Sequence, residues 1–234
     1  MHAAASSSVS VSSNALALVF GLFVVIQEIE QTSPGVYKLT PEAGSAFFLR
    51  AEYFLQDESL NFISRFTCRL CPQSEEPEPV VEEDILYASL CYAAESAAMT
   101  YLARAEQYRV SLAKKLLAKG IDKNVIKVAL NHLEEVGYLD DYRFAGAWLR
   151  NRSIDHAEGR TRLEAELFSR GVKREDAKRA LDEYCASVDE ESVCRRALEK
   201  LLRKKVPSEK HYAALVRLGF SSSTIRSILS GSEC

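Results

Sequence analysis

A glycine that returns at one position of a repeated pattern constrains this chain more than any other feature. Gly120, Gly171 and Gly219 each follow, by four residues, Leu116, Leu167 or Leu215, and each is followed at once by Ile121, Val172 or Phe220. Six residues beyond the glycine stands Ile126, Ala177 or Ile225, and ten beyond it Leu130, Leu181 or Leu229. Glycine just past a helix takes the left-handed conformation that other residues resist. The apolar residue after it turns back to the core, and apolar residues four apart line the next helix. Each copy therefore reads as helix, glycine turn, helix, and an amphipathic stretch precedes each pair, over 87–102, 144–149 and 193–202. A three-helix unit of roughly 45–50 residues cannot bury its whole apolar face alone and stacks on its neighbours. The expected fold is mainly α: three tandem three-helix repeats over 85–138, 139–187 and 188–234, forming a curved helical module.

The part before residue 85 reads differently. Residues 1–14 are small and polar, with little to bury, and are expected to be disordered. Residues 15–71 read as a small β-rich element. Val24, Val25, Ile26 and Ile29 precede the Ser33-Pro34-Gly35 turn, then come Val36 to Leu39, a second turn over 41–45, and Ala46 to Leu49. The run from Ala15 to Ile26 lacks the preceding Lys or Arg of a secretory signal and is too short to cross a bilayer as a helix. A cytoplasmic protein with no membrane contact is the expectation. Residues 72–84 hold three prolines and six acids with no base, which is a linker by composition. Beyond it Tyr87, Leu90, Cys91, Ala94, Ala98, Tyr101 and Leu102 fall on one face of a first long helix.

Charge separates the same two parts. Residues 1–100 carry 4 Lys and Arg against 13 Asp and Glu, whereas 101–234 carry 26 against 20. The bases cluster as Arg104, Arg109, Lys114 and Lys115; as Arg143, Arg150, Arg152, Arg160, Arg162 and Arg170; and as Arg196, Lys200, Arg203 and Lys204. Bases three and four apart share a helix face, which suits acidic protein patches or nucleic-acid phosphates.

Nothing in the pattern points to catalysis. His132, His156 and His211 have no Cys, Ser or carboxylate partners at catalytic spacing, and no phosphate-binding glycine motif occurs. Cys68 and Cys71 form a lone C-x-x-C without the second pair a structural zinc site needs. Asp140 and Asp141 read as openers of a helix, one capping it and one favouring its dipole. Phe144 and Trp148, four apart on that helix, read as core. No cofactor, no metal and no catalytic residue are expected.

Gly137, Leu139, Asp140, Asp141, Arg143, Phe144 and Ala145 fall in the order G-x-L-D-D-x-R-F-A, which resembles a segment of the bacterial regulatory protein RecX family. Gly159, Arg162, Leu163, Leu167, Gly171 and Val172 are similar to the G-x-x-R-L…L…G-I stretch of that family's second repeat. Gly219, Phe220, Ser221 and Ile225 resemble its C-terminal G-F-S…I. The resemblance covers about residues 86–230. Where the family has a Ser opening the second helix of the first repeat, this chain has Tyr108, a change expected to weaken that helix start by roughly 1 kcal/mol.

The resemblance implies a modulator of the RecA recombinase that binds the RecA–DNA filament and restrains its ATPase and strand exchange, thereby regulating repair and recombination. The partners it implies are the filament and the single- or double-stranded DNA inside it, met by a monomer through the basic clusters. The alternative is a direct DNA-binding regulator, because a three-helix unit can resemble a helix-turn-helix.

Overall fold

The computed structural model describes residues 26–42, 44–53 and 82–230. The expectations for 1–14, for the apolar run up to residue 25, for Cys68 and Cys71, and for the linker before residue 82 lie outside the described residues. Within them the chain is mainly α, with nine helices after a small three-stranded sheet, as the repeat pattern predicts.

The chain divides into two compact units, Met1–Met99 with Leu116–His132, and Thr100–Lys115 with Leu133–Cys234. In the first, β1 (Ile26–Ser33), β2 (Val36–Pro41) and β3 (Phe47–Arg50) pair antiparallel in that order. The β1–β2 turn needs Gly35, whose φ is +71°. Tyr37, Leu39 and Leu49 point to one face and pack with Ala88 and Ile85 of the helix α1 (Glu82–Leu102). Cys91 and Ala94 of the same helix pack with Val125 and Ala129. The sequence placed Tyr87 and Leu90 on the packed face, but both are exposed. A helix packed on a sheet at one side and a helix at another approaches closely through small residues, and Ala88, Cys91, Ala94 and Ala98 provide them.

Glu95 is only 6% exposed. A buried carboxylate needs compensating donors, and it has three: Arg50 Nε and Nη2 donate to it at 2.8 and 2.5 Å, and the Tyr53 hydroxyl at 2.8 Å. The last residue of β3 and the short 3-10 turn Ala51–Tyr53 are thereby pinned to α1.

The remaining helices are α2 (Arg109–Leu117), α3 (Lys123–Glu135), α4 (Asp141–Asp155), α5 (Arg160–Arg170), α6 (Arg174–Ser187), α7 (Glu190–Arg203), α8 (His211–Arg217) and α9 (Ser222–Ser230). Gly120, Gly171 and Gly219 stand after α2, α5 and α8 with φ of +80°, +85° and +89°. All three turns carry the same hydrogen bonds. The glycine N–H donates three residues back, to Leu117, Phe168 or Val216, and the next N–H donates to Leu116, Leu167 or Leu215. That pair satisfies carbonyls a helix end would otherwise orphan. Leu116, Leu167 and Leu215 are fully buried, and truncating one to Ala should remove about 2–5 kcal/mol.

α4, α5 and α6 enclose a core of Ala145, Leu149, Leu163, Leu167, Val172, Ala177 and Leu181. α7, α8 and α9 enclose another, with Cys194, Leu198, Leu215, Phe220 and Ile225. The two triplets meet backbone to backbone: Gly159 N donates to Leu218 O at 2.8 Å and Thr161 N to Gly219 O at 3.3 Å. A Cβ on Gly159 would overlap the Gly219 backbone, and one on Gly219 would overlap Arg162. Gly171 seats similarly on α2, where a Cβ would stand 2.7 Å from Val110 Cγ2. A turn glycine thus rests twice on the start of the second helix of the preceding triplet.

Candidate partner-binding surface

The segment that leads into α4 is held by its own polar residues. Asp140 caps the helix, its Oδ1 accepting from Arg143 N at 3.0 Å. Asp141 does something the sequence did not suggest. It is 8% exposed, and its Oδ1 accepts the Arg109 N–H at 2.8 Å, at the start of α2. Burial pushes its carboxyl above the ordinary value, and the Arg109 hydrogen bond opposes that shift. The Arg143 guanidinium donates to Glu106 Oε1 at 2.6 Å and to the carbonyls of Gly137 and Tyr138 at 3.0 and 2.8 Å. Phe144 lies 4.7 Å, ring to ring, from Tyr108, and Ala145 is buried. The D-D-x-R-F-A residues therefore fasten α4 to the chain around α2.

Most bases chosen from the sequence are likewise engaged within the protein. Arg152 donates to both Glu158 oxygens, at 2.8 and 3.0 Å, and this pairing raises its pKa. Arg162 lies 3.8 Å from Glu158 and 3.2 Å from Glu166. Arg170 donates to the Glu166 carboxylate at 2.8 Å, which holds that acid below its usual range. Arg152 and Arg170 also stand over the Trp148 ring, 5.7 and 4.6 Å from its centroid. Trp148 is thus a half-buried platform beneath an ion lattice, packed against the α4–α6 core. Arg160 pairs with Asp182 at 2.5 Å, Arg109 with Glu134 at 2.7 Å and Arg203 with Glu199 at 3.4 Å. Lys115 donates to Gln107 and lies over Tyr101.

Two bases of α7 close another helix. Arg196 Nη2 donates to the carbonyls of Ser153 and His156 at 2.7 and 2.9 Å, and Lys200 Nζ to Asp155 O at 2.6 Å. Cations suit a helix C-terminus, where carbonyls lack partners and the dipole is negative. Arg104, Lys114, Arg150 and Lys204 are left. All four are exposed, and their side chains make no hydrogen bond or ion pair among the described residues.

The sequence reading missed a more regular set. Seven residues after each turn glycine stands Lys127, Lys178 or Arg226, and three residues after the first two stand Lys123 and Arg174. Each is exposed, on α3, α6 or α9. The signal was available in the repeat register, but a search for dense clusters passes over bases spaced one per repeat. Among the described residues, no three His, Cys, Asp or Glu side chains are placed to hold a metal, and no helix is long and apolar enough to cross a membrane.

Three helix triplets, two of them with cores of their own and each turned by the same left-handed glycine, define a helical-repeat protein. The family description "RecX, second three-helix domain" matches residues 140–181, which span α4 to the end of the α6 core. Regulatory protein RecX of Treponema pallidum (strain Nichols) is 41% identical over 145 residues, covering 62% of this chain and 88% of that protein. Regulatory protein RecX of Halorhodospira halophila is 32% identical over 148 residues, covering 60% and 89%. A crystal structure of regulatory protein RecX shares the fold with a TM-score of 0.63 at 21% identity, covering 89% of this chain and all of that one. The chain belongs to the RecX family of regulatory proteins.

Proposed function

We propose that this regulator binds a RecA recombinase filament and, by bridging its subunits, resists the rearrangements that ATP turnover and strand exchange require. It does so without chemistry of its own and from the cytoplasm, as a monomer built of units 85–138, 139–187 and 188–234. One observation carries the reading: an exposed base recurs at the same repeat position three times, as Lys127, Lys178 and Arg226. A base kept in register with a structural repeat suits a partner that is itself repetitive, and a nucleoprotein filament is one. Arg104, Lys114, Arg150 and Lys204, unpaired among the described residues, add exposed bases of the kind that suit DNA phosphates or acidic protein patches.

The test is RecA ATPase activity on single-stranded DNA with increasing amounts of the chain. The wild type should inhibit, and a Lys127→Glu, Lys178→Glu, Arg226→Glu triple variant should need about tenfold more protein for the same effect. Equal inhibition by the two removes the proposal. Binding to naked duplex as tight as to the filament, with steep salt dependence, would instead mark a direct DNA binder.

A further inference from the structure

The outward side of α1 lacks what a water-facing helix carries. Over residues 85–102 only Glu95 bears a charge, and that carboxylate is buried against Arg50 and Tyr53. Ile85 and Ala88 pack with the sheet, and Cys91 and Ala94 with Val125 and Ala129 of α3. The side left over carries Leu86 and Leu90, 58% and 48% exposed, then Ala93, exposed, and Ala97, half-buried. Their spacing of four, three and four residues sets them in one row along the helix. The row is a continuous apolar face, and α1 has the composition of a helix buried on every side.

The same chain holds a segment of matching character. Residues 15–25, outside the described residues, read ALALVFGLFVV, with no polar side chain in the run. The run leads directly into Ile26, the first residue of β1, and Ile26 packs on the cluster that includes Ala88 and Ile85 of α1. The segment is thus tethered beside the N-terminal end of the row. From Leu86 to Ala97 the row is about 16 Å long. The segment reaches about 16 Å if helical and about 36 Å if extended, so it spans the row in either form. We infer that residues 15–25 fold back from Ile26 along the outward side of α1 and cover Leu86, Leu90, Ala93 and Ala97. Two apolar surfaces leave water in one contact. Being tethered, the segment meets the face at an effective concentration of about millimolar, ahead of a free partner. Residues 54–81, also outside the described residues, carry acids and bases through much of their length and suit an uncharged face less well.

Photo-crosslinking within the 234-residue chain tests this. With p-benzoylphenylalanine in place of Leu90, irradiation should join residue 90 to residues 15–25 of the same molecule, read by mass spectrometry of the digest. The same group in place of Phe20 should reach residues 86–97, and this position decides the matter if the first variant does not fold. Leu90→Ser should lower the melting temperature by about 4 °C or more, whereas on an open surface the change is nearly neutral. Absence of adducts from both positions, or a Leu90→Ser melting temperature equal to that of the wild type, overturns the inference. Adducts confined to residues 54–81 overturn it in favour of that stretch, and cross-linked dimers in favour of a second copy of this chain. Flotation of the chain with phosphatidylcholine vesicles overturns it in favour of a lipid surface. None of these readouts involves the recombinase, so the proposed function stands or falls separately.

Discussion

The Asp141 carboxylate caps a helix other than its own: its Oδ1 accepts the Arg109 N–H at 2.8 Å, supplying to α2 the cap that Tyr108 cannot. An acid written at the start of α4 thus repairs the start of α2, 32 residues earlier in the chain.

Asp141→Ala should therefore lower stability by about 1–2 kcal/mol, because the Arg109 N–H loses its acceptor. Asp141→Asn keeps an acceptor and removes the buried charge, so it should match or exceed the wild type at neutral pH. The pH dependence follows from the raised carboxyl of the folded state. A raised folded pKa means a contribution present below the unfolded value and lost as pH rises through the folded one. Asparagine should gain on aspartate over the range that begins at the unfolded carboxyl value, about pH 4, and runs upward. Urea titrations of both proteins across that range check the sign.

Glycine substitutions should separate two kinds of constraint. Gly120→Ala meets no atom within 4 Å and suffers only from its positive φ, so a loss of about 1 kcal/mol is expected. Gly159→Ala has an ordinary φ of −84° but would drive a methyl group into the Gly219 backbone. Its loss should reach about 3 kcal/mol or more. Denaturant midpoints of the two variants should rank in that order, although the left-handed glycine looks the more demanding on paper.

The Arg50–Glu95 pair should be expensive to break from one side. Glu95→Ala leaves a guanidinium and the Tyr53 hydroxyl without their acceptor, and about 3 kcal/mol should be lost. Tyr53→Phe removes one neutral donor and should cost about 1 kcal/mol. Thermal melts distinguish these, and an Arg50→Met, Glu95→Leu double variant should recover much of the loss.

Arg150 and Arg152 sit two residues apart and should behave in opposite ways. Arg152→Glu faces Glu158 and Glu166 and should lower stability by about 2 kcal/mol or more. Arg150→Glu touches no partner within the described residues and should leave the melting temperature within error, while weakening inhibition of the recombinase. A triple reversal of Arg150, Arg152 and Arg162 would confuse the two effects, since Arg162 belongs to the same ion lattice.

The helix triplets were legible because a glycine cap and buried leucines four residues before it leave a local, periodic signal. The role of Asp140 was legible for the same reason. Asp141 was not, because the donor it serves is 32 residues away and no spacing rule connects them. The arginine clusters show what a linear reading leaves out. A linear sequence shows where charges gather but not which acids or carbonyls lie opposite, and Arg143, Arg152, Arg170, Arg196 and Lys200 all proved to have internal partners. Tyr87 and Leu90 were placed inward by a pattern that scores hydrophobicity, whereas the close layers around α1 select for small size.

Twelve residues before the turn glycine, the three repeats have Tyr108, Gly159 and Pro207. Only the middle one offers both a backbone donor and an open approach, and both are taken up by Leu218 and Gly219. Pro207 has no N–H to donate and bears a ring where Gly159 has no side chain. Lengthening the row by simple duplication would seat a newcomer's glycine against that ring, so an added triplet would first need Pro207 exchanged for a residue that can donate and make room.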